Sequence, residues 1–239
     1  MNLEPPEGWG SDGLSDFMEA ARRNTFATFV NLRSQYALLL DVDRAFTELI
    51  KNLKNARPWY ACLFLLRAHA AFRGGVRFAV SGQVVEAYMV LRGCIEAGLY
   101  GLFVTANPDS FRIWLERHKD NSARAKCRGM FAAKGLFELL ESRSKNAADV
   151  ARNLYERTID EGAHPNEKAI LTNLRNVEDE EGVTFNLLYL TDDSPELRGS
   201  LKTTAQVGIC VLDIFALVFR ERMDLLGLTR RLDELKRGL

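Results

Sequence analysis

The stretch from Ser81 to Val104, SGQVVEAYMVLRGCIEAGLYGLFV, constrains everything around it. At 100° per residue its apolar side chains go nearly all the way round a helix. Val84, Leu91, Ile95 and Leu102 fall on one side, Val85, Leu99 and Phe103 on another. A helix apolar on every face is either buried at the centre of a protein or spans a membrane. Glu86, Arg92 and Glu96 interrupt this one, and ionisable groups at that density argue against lipid. The expectation is a central helix in a soluble helical bundle, carrying charges that must find partners inside.

Size and charge narrow the classes further. The chain has 239 residues, 47% of them hydrophobic and 27% charged, enough for a proper core and too ordinary for disorder. Its 32 basic residues balance its 32 acidic ones, so there is no bulk attraction to nucleic acid and little charge to oppose self-association. Cys62, Cys94, Cys127 and Cys210 form no C-x-x-C pair, and all but Cys127 sit in apolar helical runs. They read as buried free thiols in a reducing cytoplasm. No secretory signal opens the chain, and the apolar run 205–219 is too short to span and contains Asp213. The expected location is cytoplasmic, with no membrane partner.

In chain order, residues 1–13 (Gly, Pro and acid) read as a flexible N-terminal arm, and 14–239 as a single helical-bundle domain. Ser11 or Ser15 is the expected cap for a helical pattern that runs from Leu14 to about Ala56, as one helix or as two joined near Asp41–Asp43. Pro58 opens a second helix with an apolar stripe of Leu63, Leu66 and Ala70. After a turn at Ser81–Gly82 the central helix returns antiparallel to it, and this hairpin is the expected heart of the fold. A short helix follows from Asp109 to about His118, then one from Asn121 to about Ser142, disturbed at Gly129 and Gly135. Asn146 caps the next, which Gly162 ends. Residues 170–190 turn β-branched and aromatic, which predicts a small β-hairpin pairing 170–177 with 183–190; a helical start at 166–171 competes with it. Ser194-Pro195-Glu196 opens a last long helix to about Leu226, followed by a charged amphipathic tail. The fold class is mainly all-α: a multi-helix bundle around a central antiparallel hairpin.

Chemistry concentrates in a few places. Arg92 and Glu96, at i and i+4, share a face and can pair; with Glu86 they read either as a buried structural ion pair or as a pocket gripping an anion. Arg157 and His164 flank a helix end, so the imidazole can reach back towards the guanidinium. An Arg holding a phosphate while a His moves a proton is what metal-independent RNA cleavage needs. The plainer alternative has His164-Pro165-Asn166 shaping a turn. His69, Arg73 and Arg77, at i, i+4 and i+8, read as a solvated or interface face, and His118 as surface. The basic clusters at 124–128 and 230–237 read as solvated helix faces. There is no H-E-x-x-H, no E-x-x-H pair, no Cys/His cluster, no phosphate-binding Gly loop and no G-x-S-x-G, so neither metal nor cofactor is expected.

Leu91-Arg92 with Glu96-Ala97, followed later by Gly162-Ala163-His164-Pro165-Asn166, resembles bacterial helical proteins of unknown function that are similar to the HEPN superfamily of nucleotide-binding bundles. The likeness covers about residues 58–220. HEPN ribonucleases carry R-x(4–6)-H, which Arg157 and His164 match at its outer limit, with Thr158 after the Arg where a polar Asn, Asp or His is usual. The resemblance implies a homodimer acting as an RNase toxin or defence element, or a non-catalytic relative serving as a scaffold. Two functions are therefore expected in competition. One is a binding or interaction module, self-associating as a dimer. The other is a metal-independent ribonuclease that acts on RNA through Arg157 and His164.

Overall fold

In a computed structural model of the chain, the central apolar run is one helix, α4 (Val84–Ala106), and the run before it another, α3 (Tyr60–Val80). The structure describes residues 5–163, 167–171, 174–179 and 182–239, and only the backbone of 163, 168, 175–179 and 182–187. Gly82 makes the turn between α3 and α4 at φ +86°, where a Cβ would also strike the backbone of Thr191. The two helices lie antiparallel and in contact along their length. Gly75 sits against Leu91, the Cys94 thiol donates to the Ala68 carbonyl at 3.3 Å, and the Phe64 and Tyr100 rings are 6.0 Å apart.

Before the hairpin come α1 (Gly13–Asn31) and α2 (Arg33–Lys51). After it come α5 (Pro108–Leu115), a 3₁₀ turn at Glu116–His118, α6 (Asn121–Met130), α7 (Ala133–Arg143) and α8 (Lys145–Thr158). A π-helical turn (Ile159–Ala163), α9 (Glu167–Leu171), and strands β1 (Leu174–Asp179) and β2 (Gly182–Leu187) lead to α10 (Pro195–Ala216), α11 (Arg220–Leu225) and α12 (Leu228–Lys236). The fold is all-α apart from β1 and β2, which pair antiparallel with Leu174 opposite Leu187 and Asp179 opposite Gly182.

By length and composition α4 could cross a membrane. In the bundle it packs against α3, α5, α7, α8, α10 and the π turn, with Met89, Arg92 and Glu96 on its one open side. The core joins Phe46 of α2, Phe72 of α3, Leu91, Ile95 and Leu99 of α4, and Leu201, Leu212 and Phe215 of α10. Small residues let these helices meet closely. A Cβ on Gly101 would lie 2.7 Å from the Phe215 ring, and one on Gly208 2.6 Å from the Phe72 ring.

Several boundaries differ from the sequence expectation. The first helical stretch breaks at Leu32, whose side chain turns into the core, and not near Asp41–Asp43. After the break α2 buries Leu39, Val42, Phe46 and Leu49, whereas α1 buries only Ser15, Glu19 and Thr28. Asp12 caps α1, accepting from the Leu14 and Ser15 amides, in place of Ser11 or Ser15. Residues 6–11, expected as part of a loose arm, make turn hydrogen bonds from Trp9 to Pro6 and from Ser11 to Gly8. Helix α3 starts at Tyr60, past Pro58, and buries Phe64, Leu65, Ala68 and Phe72; Leu63, Leu66 and Ala70 are exposed. The run expected from Asn121 to Ser142 is two helices, and Ser144, not Asn146, caps α8. The last long helix ends at Ala216, and Gly227 in a left-handed conformation folds α12 back against α10. Ile170 lies in α9, so the paired strands begin four residues later than expected.

His69 is also not on a solvated face. It is buried, stacks on Phe46 with ring centroids 5.1 Å apart, and meets Asp43 at 2.7 Å. Arg73 grips the same carboxylate at 2.7 and 2.9 Å, so Asp43 ties α2 to α3. Burial holds the His69 pKa below its ordinary value against the pull of Asp43, and the imidazole is neutral at pH 7.

Two outcomes follow. The unfolded chain takes up a proton near pH 6.5 that folded His69 resists, so its contribution to stability is full at higher pH and is lost as pH falls through that value. Urea unfolding from about pH 8 to about pH 5 is expected to show that slope, and His69→Gln to lack its share of it. Gly208→Ala is expected to cost about 1–3 kcal/mol by the same measurement, through overpacking against Phe72 and Val42.

Candidate functional site

Helix α8 has two working faces. Ala148, Ala151, Leu154, Tyr155 and Thr158 recur at helical spacing and are buried. The flanking row, Asn146, Asp149, Val150, Asn153 and Arg157, faces a row on α10, Gln206, Ile209, Cys210 and Asp213, with Leu217 just past its end. Between them lies a groove of about 730 Å³. Leu154 and Ile209 form its apolar floor, and Val150 and Leu217 remain exposed at its rim. Lys236 of α12 closes one end, with its ammonium 2.9 Å from Asp213 and 3.1 Å from Asp233.

Arg157 stands at the other end. Its Nη1 donates to Thr203 Oγ1 at 3.2 Å and to Gln206 Oε1 at 3.3 Å. Both acceptors are neutral, so the guanidinium is positioned but not neutralised; among the described residues it makes no ion pair. Its outer side is different in character. Asp149, Glu156, Asp160 and Glu161 lie there, in a shallow depression shared with Arg152, which pairs with Glu141 at 2.6 Å.

The groove has no activated nucleophile. Burial, with the nearby Asp213 charge adding to it, pushes the Cys210 thiol up to about 12, so it stays protonated and serves as wall. Burial also raises the Asp213 carboxyl above its ordinary value, while the Lys236 hydrogen bond opposes that shift. Among the described residues no three His, Cys, Asp or Glu side chains come together as metal ligands.

Arg157 is in the groove. His164 lies outside the described residues, as do Pro165 and Asn166. Gly162 does not end a helix; it sits in the π turn, so close to the Val85 carbonyl and Tyr88 of α4 that a Cβ would collide with both. Arg92 and Glu96 do pair, with Nε to Oε1 at 3.0 Å, but on the rim of the bundle and not in its middle: their side chains are 28% and 42% exposed. Tyr155 of α8 completes the cluster. Arg92 Nη2 donates to its hydroxyl at 3.0 Å, and the hydroxyl donates to Glu96 Oε1 at 3.1 Å. The guanidinium also lies 5.1 Å from the Tyr155 ring centre. Glu86 is apart from this cluster, in the first turn of α4, with Oε2 buried and no hydrogen-bond partner among the described residues.

Sequence patterns alone do not single out Gln206, Tyr155 or Lys236. The α10 row 206, 210, 213, 217 has helical spacing and is legible once the helix is assigned. The Lys236–Asp213 pair is not, because it depends on α12 folding back.

No family model, no curated protein and no solved structure matches the chain. What the groove does is therefore read from its own chemistry.

Tyr155→Phe removes the hydroxyl that bridges Arg92 and Glu96 and leaves the ring in place. It is expected to cost about 1–2 kcal/mol in urea unfolding. A double-mutant cycle with Glu96→Gln is expected to show coupling between the two positions.

Proposed function

We propose that this chain is a non-catalytic helical binding module. It holds a small amphipathic ligand between α8 and α10, acidic head on Arg157 and apolar body along Val150, Leu154, Ile209 and Leu217. The observation that carries the reading is the Arg157 guanidinium, aimed by Thr203 and Gln206 and ion-paired with no carboxylate among the described residues, at the mouth of an apolar groove. Its volume of about 730 Å³ falls within the usual range for small-molecule sites, about 300–1,000 Å³. The setting we infer is the cytoplasm: Cys62, Cys94, Cys127 and Cys210 are all free thiols, a state that a reducing compartment preserves.

The competing function is metal-independent RNA cleavage by Arg157 with His164, as the HEPN resemblance implies. The acidic outer side of Arg157 favours the binding reading. A polyanion would have to cross Asp149, Glu156, Asp160 and Glu161, whereas a small ligand entering along the groove meets only Asp149 of the four.

Titration calorimetry with decanoate, and with decylammonium as the opposite-charge comparison, tests the reading. Decanoate is expected to bind saturably and more tightly than decylammonium. Arg157→Gln is expected to weaken decanoate by roughly tenfold or more, the worth of a charge-assisted hydrogen bond. Equal binding of the two probes, or no saturable binding, overturns it. EDTA-resistant RNA cleavage that is lost in folded Arg157→Ala and His164→Ala proteins replaces it with the ribonuclease.

A further inference from the structure

Helix α1 is amphipathic the wrong way round. Its buried side chains are Ser15 and Glu19, covered by the N-terminal turn and by Arg22 and Arg23, and Thr28; towards the bundle it makes polar and edge contacts. Asn24 donates to the Ser81 carbonyl at 3.3 Å, and Phe17 meets Tyr189 edge-on at 6.2 Å. Its large apolar side chains point away. Leu14 is 67% exposed, Phe26 56% and Val30 58%, with Met18 and Phe29 beside them. On a helix these residues occupy one broad stripe, opposite the side that faces the 81–83 turn. With Trp9 of the preceding turn, the six side chains leave roughly 600 Å² of surface in water, at the upper limit of the largest patch on a typical monomer.

We propose that this stripe is a homodimer interface in which α1 packs antiparallel on α1 of a second copy, about a two-fold axis at Arg22. Three features of α1 fit that occupant. The first is register. Met18 and Phe26 stand one four-residue step on either side of Arg22, so the axis sets Met18 against Phe26 of the second copy, with Leu14 and Val30 on the flanks of the contact.

The second is charge. Asp12 and Asp16 mark the N-terminal end of the stripe and Arg33 the C-terminal end, where its guanidinium lies 4.8 Å from the Phe29 ring centre. Antiparallel packing puts acid beside base at both ends and opposes the two helix dipoles, whereas parallel packing puts like beside like. Arg22, which the axis brings near its own symmetry copy, is already bound to Glu19 at 2.6 Å and lies over Phe26, so two guanidinium groups do not meet unneutralised.

The third is area. Roughly 600 Å² per copy from the apolar side chains, with the flanking charged residues added, approaches the about 800 Å² per partner of a standard stable interface. This surface is separate from the α8–α10 groove, and the dimer stands or falls independently of ligand binding.

Sedimentation equilibrium on the full chain tests the pairing with Met18→Glu and Phe26→Lys. Both positions are exposed, so far-UV circular dichroism is expected to show each variant folded as the wild type. The wild type is expected to dimerise at micromolar concentration and each variant alone to be monomeric. An equimolar mixture of the two is expected to recover a dimer, because the carboxylate introduced in one copy then faces the ammonium introduced in the other, while the unsubstituted Met18 and Phe26 still meet. A monomeric wild type overturns the proposal, as does a dimer that both substitutions leave intact. Monomeric variants that fail to recover a dimer on mixing overturn the antiparallel register.

Discussion

The fold depends on burying most of one helix. Water cannot solvate the apolar faces of α4 cheaply, so neighbours cover all but the Met89, Arg92 and Glu96 side, and none of them can be far away. Close approach is achieved by leaving side chains out. Gly75 receives Leu91, Gly98 faces Val211, Gly101 admits Phe215 and Phe64, and Gly208 admits Phe72 and Val42. At Gly75, Gly101 and Gly208 an added methyl group would overlap its neighbour, which holds α3 and α10 close about α4. The other helices take their places on that three-helix frame.

Ionisable groups then mark the seams between helices. Asp43 with His69 and Arg73 joins α2 to α3, Arg92 and Glu96 with Tyr155 joins α4 to α8, and Asp213 with Lys236 joins α10 to α12. None is a fully buried ion pair. Each lies where one partner keeps contact with solvent, which limits the desolvation cost while still selecting one docking of the two helices. Arg157 departs from this pattern, because both groups that orient it are uncharged.

How much of this could be read from the residues depends on the range of the interaction involved. The apolar circumference of α4, the Ser81–Gly82 turn and the Ser194 cap are local patterns, and the helices they imply are present. Faces were harder. On α3 the Leu63, Leu66, Ala70 stripe is as apolar as the Phe64, Leu65, Ala68, Phe72 stripe, and only the positions of α4 and α10 decide between them. Leu32 carries no helix-breaking signal; the chain breaks there with its side chain buried in the core, a contact set by elements distant in sequence. Arg92 and Glu96 pair as their spacing implies, but at the rim, since burial is set by elements far away in sequence. In the groove Arg157 was legible, whereas its partners on α10 required the fold.

The polar underside of α1 also bears on how the protein opens. Detaching a helix normally exposes apolar surface, and that penalty keeps its backbone amides from exchanging with solvent until the whole domain unfolds. Helix α1 would uncover Thr28 and the half-buried Phe17, Ala20, Ala21 and Asn24, while Ser15 and Glu19 keep the local cover of the N-terminal turn and of Arg22 and Arg23. Its local opening is therefore cheap compared with that of α4 or α10, and its amides are expected to exchange deuterium ahead of the rest as an independent cooperative unit. The chain thus carries two tiers of stability, a frame that moves only by global unfolding and an N-terminal helix that can come away from it.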